Sequence, residues 1–193
     1  MAITIAPYAM RENTYEAYNV RFFDQDIYTT VTANYAVVTD WIGDVKNLHS
    51  HEPQLTVGLD VEWRPSFASW CNPVATLPRI KEDMEKLQTD YGIGGGARYV
   101  DLRGMAVEVY SSKLKNAGLK KLASVVLRKE VEKPQWVRVG RWDAPRLSAE
   151  QVQYACVDAY LSSEIARALH WFADLCERII EQLKLELGIW DFN

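Results

Sequence analysis

Long apolar runs, paired cysteines and histidine are scarce in this 193-residue sequence. No apolar run approaches the roughly 20 residues of a membrane span, so no membrane partner is expected. The opening, MAITIAPYAMRENTYEAY, has no basic start followed by an apolar core, so no secretory signal is expected. Three cysteines (Cys71, Cys156 and Cys176) are odd in number and lack metal-ligand spacing. They predict free thiols in a reducing compartment. His49 and His51 form a His-x-His pattern without further ligands, which predicts surface residues at a helix end. GIGGGAR lacks the Lys-Ser/Thr of a phosphate loop and is expected to lead into a strand, so it reads as a connection. Internal repeats and low-complexity tracts are also absent.

What remains is an ordinary globular composition, 48% hydrophobic and 25% charged, long enough for one domain with a real core. We read residues 1–193 as one domain with its core at about 15–187. The net charge of -4 does not advertise a nucleic-acid binder. Its distribution is uneven. Residues 111–146 hold ten basic and three acidic side chains, a surplus of +7, which leaves -11 on the remainder. Such a stretch fits either a polyanion contact or a solvated face.

Residues 16–32 read as two strands joined at Asp24-Gln25-Asp26, and 33–51 as a helix with Val37, Trp41, Val45 and Leu48 at helical spacing. QLTVGLDVEW predicts a buried strand over 55–62. A loop with three prolines follows, then a helix from about Arg79 to Tyr91 closed by Gly92. A strand is expected at 98–102, a short helix in GLKKLASVVLRKEV, and an irregular basic link through EKPQWVRVGRWDAPR. Ser148 and Gln151 form a capping box for a helix to about His170, with a second helix from Trp171 to Leu187.

Carboxylates mark three of these elements. A strand places Asp60 and Glu62 on one side, because side-chain direction has period two. Two like charges so close fit a solvated strand exit, or a site for a hard divalent cation such as Mg²⁺. In PRIKEDMEKLQTDYG, Ile80, Met84, Leu87 and Tyr91 form the apolar stripe. At 100° per residue Asp83 is the acid nearest that stripe, while Glu82 and Glu85 point away. Asp83 also suits a helix start, where acids favour the dipole. Tyr154 and Asp158, four apart, share one face of a helix rich in small and apolar residues. Asp101, at the end of the expected strand, ranks below Asp83.

Together, the strand-borne Asp-x-Glu, the Asp at a helix start and the late Tyr-x-x-x-Asp resemble the DEDDy 3′→5′ exonucleases of the ribonuclease H-like superfamily. Among them the chain is most similar to the plant Werner syndrome-like exonucleases, domains that stand apart from a helicase. The resemblance rests on VGLDVEWRPS, KEDMEKLQTDYGI and LSAEQVQYACVDAYLSSEI, with GLKKLA and RWD between them. It implies an α/β fold with a mixed sheet flanked by helices. It also implies two Mg²⁺ or Mn²⁺ ions about 4 Å apart. Asp60, Glu62 and Asp158 would hold one, Asp60 and Asp83 the other, and Tyr154 would orient the attacking water. The implied substrate is DNA or RNA cut from the 3′ end to nucleoside 5′-monophosphates, in the nucleus, with a separate helicase as a partner. Weaker nucleic-acid contacts are assigned to Trp63 and Arg64 beside the metal strand, and to Lys120, Lys121, Arg138 and Arg141.

One departure stands out. Asp60 and Asp83 are only 23 positions apart. The superfamily fold places two strands, a helix and a further strand between its first two motifs, which needs about 40 residues. We therefore expect an internal deletion, a truncated sheet, and a second reading in which the chain is a catalytically impaired module that binds nucleic acid or protein.

Overall fold

A computed structural model of the protein describes residues 3–11, 14–52, 55–61, 80–132 and 134–187. The chain opens with β1 (Thr4–Arg11), β2 (Tyr15–Phe22) and β3 (Gln25–Val31), an antiparallel meander in the order β1-β2-β3. The expected pair of strands at 16–32 is present as β2 and β3, and β1 is a further strand before them. The β2–β3 turn lies at Phe23-Asp24, one residue earlier than expected, with Phe23 left-handed at φ 58°. Arg21 faces Asp26 across the ladder and forms an ion pair with it. Helix α1 (Tyr35–Leu48) is capped by Asn34, whose side chain accepts from the Ala36 N–H.

Two expected strands are absent. Residues 55–61 carry no regular secondary structure, and Glu62 lies outside the described residues. A strand exists by its ladder, and β1, β2 and β3 pair only among themselves. The described sheet is thus antiparallel, where a mixed one was expected. At 98–102 the Asp101 carboxylate accepts from the Arg103 N–H at 2.9 Å and pairs with its guanidinium. Asp101 is therefore an N-cap, opening α3 (Leu102–Val109), and not a strand-end metal ligand.

Helix α2 (Ile80–Tyr91) ends where expected. Gly92, at φ 66°, returns its N–H to the Gln88 carbonyl, an αL cap. After α3 come a 3₁₀ turn at Ser112–Leu114, the short α4 (Leu119–Leu122), a π turn at Ala123–Leu127, and α5 (Gln135–Arg138) inside the basic link. The last element is α6 (Ala149–Leu187), one helix of 39 residues and about 58 Å where two were expected. ARALHWFADL contains neither glycine nor proline, so nothing stops the first helix near His170. Its start is the expected capping box: the Ser148 N–H donates to Gln151 Oε1 at 2.9 Å, and the Gln151 N–H to Ser148 Oγ at 3.2 Å.

The core is built on one row of α6. Val157, Leu161, Ile165 and Leu169 are buried together with Val20 and Phe22 of β2, Ala106 of α3, and Leu122, Ala123 and Val126 of the α4–π segment. Fully burying such a side chain stabilises by roughly 1.5–3 kcal/mol. Helix α6 therefore holds the sheet and the small helices to one another.

Candidate active site

The first motif reaches α6 through a glycine. A Cβ on Gly58 would lie 1.9 Å from the Ala159 carbonyl oxygen and 2.7 Å from the Ser163 nitrogen. Backbone thus touches backbone, and no side chain fits between. Ala159 is about 200° round the helix from Val157, so α6 is covered on opposite sides by the core and by residues 55–61. Asp158 falls between those two faces, and Tyr154 lies one turn earlier on the same flank. The apolar row of α6 thus packs on β2 and the small helices, and Gly58 meets the helix at Ala159 and Ser163 instead.

Burial sorts the predicted carboxylates. Asp158 is 4% exposed and Asp83 9%, whereas Asp60 is exposed. Glu82 and Glu85 are exposed, in line with the 100° spacing that singled out Asp83. Unpaired buried charge is costly, and neither Asp83 nor Asp158 is without an interaction partner. Among the described residues, no three His, Cys, Asp or Glu side chains stand together as a metal site. Asp60, Asp83 and Asp158 are therefore not brought together as such a group, while Glu62, like Trp63 and Arg64, lies outside the described residues.

A cavity of about 80 Å³ opens beside Tyr154 and Asp158, bounded by Val131, Pro134, Trp136 and Val137. It has room for several waters. The Trp142 ring packs on Tyr154 at a centroid distance of 5.9 Å. This tryptophan neighbour is legible in the sequence only as the RWD that precedes the third motif.

The basic stretch divides. Lys120, Lys121 and Arg138 are exposed and form no ion pair among the described residues. Arg141 is exposed but lies 3.6 Å from Asp143, and Arg146 lies 3.4 Å from Glu16. Lys129 sits over the rings of Phe22, Phe23 and Tyr160 at 5.5, 5.0 and 5.9 Å, so its charge is engaged within the fold. His49 bonds Glu52 at 2.7 Å beyond the end of α1, the surface role expected of it. That contact lowers the Glu52 carboxyl below its ordinary value. Cys156 accepts a hydrogen bond from Thr29 Oγ1 at 3.1 Å, and burial raises its thiol above the ordinary value.

No helix among the described residues is long and apolar enough to cross a membrane. The chain is similar to a 3'-5' exonuclease of Arabidopsis thaliana, 30% identical over 150 residues that take in 58% of this chain and 52% of the relative. It is 39% identical to the human Exonuclease 3'-5' domain-containing protein 2 over 90 residues, which are 46% of this chain and 14% of that protein. A 3'-5' exonuclease of Drosophila ananassae is 33% identical over 94 residues, 47% of this chain and 26% of the relative. The chain thus spans about half the length of the plant relative and a smaller part of the animal ones. No protein-family model matches it, and no solved structure does.

Proposed function

We propose that this protein is a metal-dependent 3′→5′ exonuclease of the ribonuclease H-like DEDDy group, hydrolysing phosphodiester bonds from the 3′ end of DNA or RNA to nucleoside 5′-monophosphates. The carrying observation is the seating of Gly58, two residues before Asp60, on Ala159 of the helix that bears Tyr154 and Asp158. Similarity to proteins named 3'-5' exonuclease supports the same reading. Asp60, Glu62, Asp83 and Asp158 are the residues that would hold two Mg²⁺ or Mn²⁺ ions. The donor set is all carboxylate, and two of its members are buried. Hard divalent cations prefer such oxygen donors. When bound, the ions supply charge stabilisation at the phosphoryl group. Tyr154, at a cavity of water size, orients the nucleophile. Lys120, Lys121, Arg138 and Arg141 contact the phosphate backbone, and Trp63 and Arg64 the terminal nucleotide.

Within that group we read the chain as a plant Werner syndrome-like exonuclease shortened between its first and second motifs, nuclear, and served by a separate helicase. One detail of the plant comparison supports the shortening. The 58% of 193 residues that align are about 112, so about 38 of the 150 aligned positions face no residue here. The two human and fly comparisons show no such excess. The shortfall resembles the roughly 40 residues that the missing elements would need.

A second reading, a catalytically impaired module that binds nucleic acid or protein, is favoured by the lack of regular secondary structure at 55–61. The test digests a 5′-labelled single-stranded oligonucleotide with Mg²⁺ or Mn²⁺, beside Asp158→Asn. Stepwise shortening by the wild type alone supports the nuclease. Binding without shortening supports the second reading.

A further inference from the structure

The link between α5 and α6 is held at every turn. The Gly140 N–H donates to the Val137 carbonyl at 3.0 Å, and the Trp142 N–H to the Gly140 carbonyl at 3.1 Å. A Cβ on Gly140 would lie 2.9 Å from that same Val137 oxygen, so the turn is tight enough to require glycine. The indole N–H of Trp142 donates to the Arg138 carbonyl at 3.2 Å. Both ends of the tryptophan, backbone and indole, are therefore tied to the α5 turn. Its ring meets Tyr154 at 5.9 Å and 59°, inside the range of aromatic pairs. Tyr154 stands in the second turn of α6, after the box of Ser148 and Gln151.

We propose that Trp142 is a positioning residue, fixing the Tyr154 ring that orients the attacking water. The proposal rests on the exonuclease reading above. A helical tyrosine has two common χ1 rotamers, and a rigid indole against one face selects between them. The same turn exposes Arg138, whose carbonyl holds the indole. A phosphate contact at Arg138 and the placement of Tyr154 thus share one piece of backbone.

The test uses the full chain labelled with 3-fluorotyrosine. The Tyr154 ¹⁹F line is assigned by its loss in Tyr154→Phe. Trp142→Leu is expected to shift or split that line, and to lower kcat about tenfold with KM within about twofold, since displaced catalytic groups cost rate. Trp142→Phe keeps a ring without the N–H and is expected to recover most of both. An unmoved line in Trp142→Leu overturns the proposal whether or not the protein cuts nucleic acid. A raised KM at unchanged kcat overturns it too, because Trp142 would then touch substrate. A line that moves in Trp142→Leu, beside a wild type that cuts nothing, sinks the exonuclease reading and upholds the placement of Tyr154. Should Trp142→Leu fail to fold, Trp142→Met is read in the same way, since it too removes the ring that meets Tyr154.

Discussion

Asp158 and Asp60 are the two ends of one proposed site, and their surroundings could hardly differ more. Asp158 is buried in a helix whose start is capped and whose flanking row, Val157 and Leu161, is core. Asp60 is exposed on a segment without a ladder, held near α6 through Gly58. A helix satisfies its backbone internally and carries its side-chain geometry with it. A strand borrows both from its neighbours. The helical half of the site is therefore self-supporting, while the strand half depends on elements beside it.

The sharpest way to break this comparison is to neutralise each acid in turn. Asp158→Asn is expected to lower nuclease activity about a thousandfold, the equivalent of several kcal/mol of lost charge stabilisation. Asp60→Asn should cost markedly less if its segment is poorly placed. Equal losses, measured on one oligonucleotide at saturating Mn²⁺, would show that Asp60 is held as firmly as Asp158. Inserting a family-like stretch between Leu77 and Ile80 should then raise the effect of Asp60→Asn, together with melting temperature and activity. No gain in any of these would remove the shortened-scaffold reading.

Gly58→Ala tests the one contact that joins the halves. Its methyl group has nowhere to go against the Ala159 carbonyl. Overpacking of this kind costs about 1–3 kcal/mol, or the segment lifts away. We expect a lower denaturation midpoint, or unchanged stability with reduced activity; no change in either would mean the contact is dispensable. A smaller effect is expected of Lys120→Glu with Lys121→Glu. Oligonucleotide affinity should fall and its salt dependence flatten, because each lost phosphate contact releases fewer counterions. Unchanged binding would return both lysines to a solvated face.

What the sequence reveals follows the same division. Helix ends were legible at Gly92 and at Ser148 with Gln151, because caps are local chemistry. Helical spacing also singled out Asp83, which is buried, although its apolar stripe is only half-buried at Ile80, Met84 and Leu87 and exposed at Tyr91. The strand at 55–62 was not, since alternation of apolar residues describes a face and says nothing of a partner to pair with. Asp101 shows the converse error: two apolar residues before an acid looked like a strand end, yet the carboxylate bonds two residues ahead and starts a helix. The fusion of the last two helices was readable from the lack of a stop signal at His170. Trp142 left no pattern of its own, as its link to Tyr154 depends on a turn that only the fold closes.

The smallest expected effect concerns the face of α6 turned to the sheet. Burial raises the Cys156 thiol, and the Thr29 hydroxyl, donating to the sulfur at 3.1 Å, opposes that rise in part. A folded-state value above the unfolded one means that ionisation is disfavoured by the fold. The contribution to stability is then fully present below the unfolded value, and it is lost as pH rises through the folded one. The window opens above the ordinary thiol value of 9.0. Wild type should therefore lose more stability than Cys156→Ala between pH 8 and pH 10.5, a difference that cancels the titration of other groups. Thr29→Val removes the opposing bond and should enlarge it. Alkylation gives an independent reading. Exposed Cys176 should react with iodoacetamide well before Cys156, since the thiolate is the reactive form and is withheld at the half-buried site. Equal rates at pH 8, resolved by peptide mass, would mean that the α6 face against β3 opens as readily as the exposed end of the same helix.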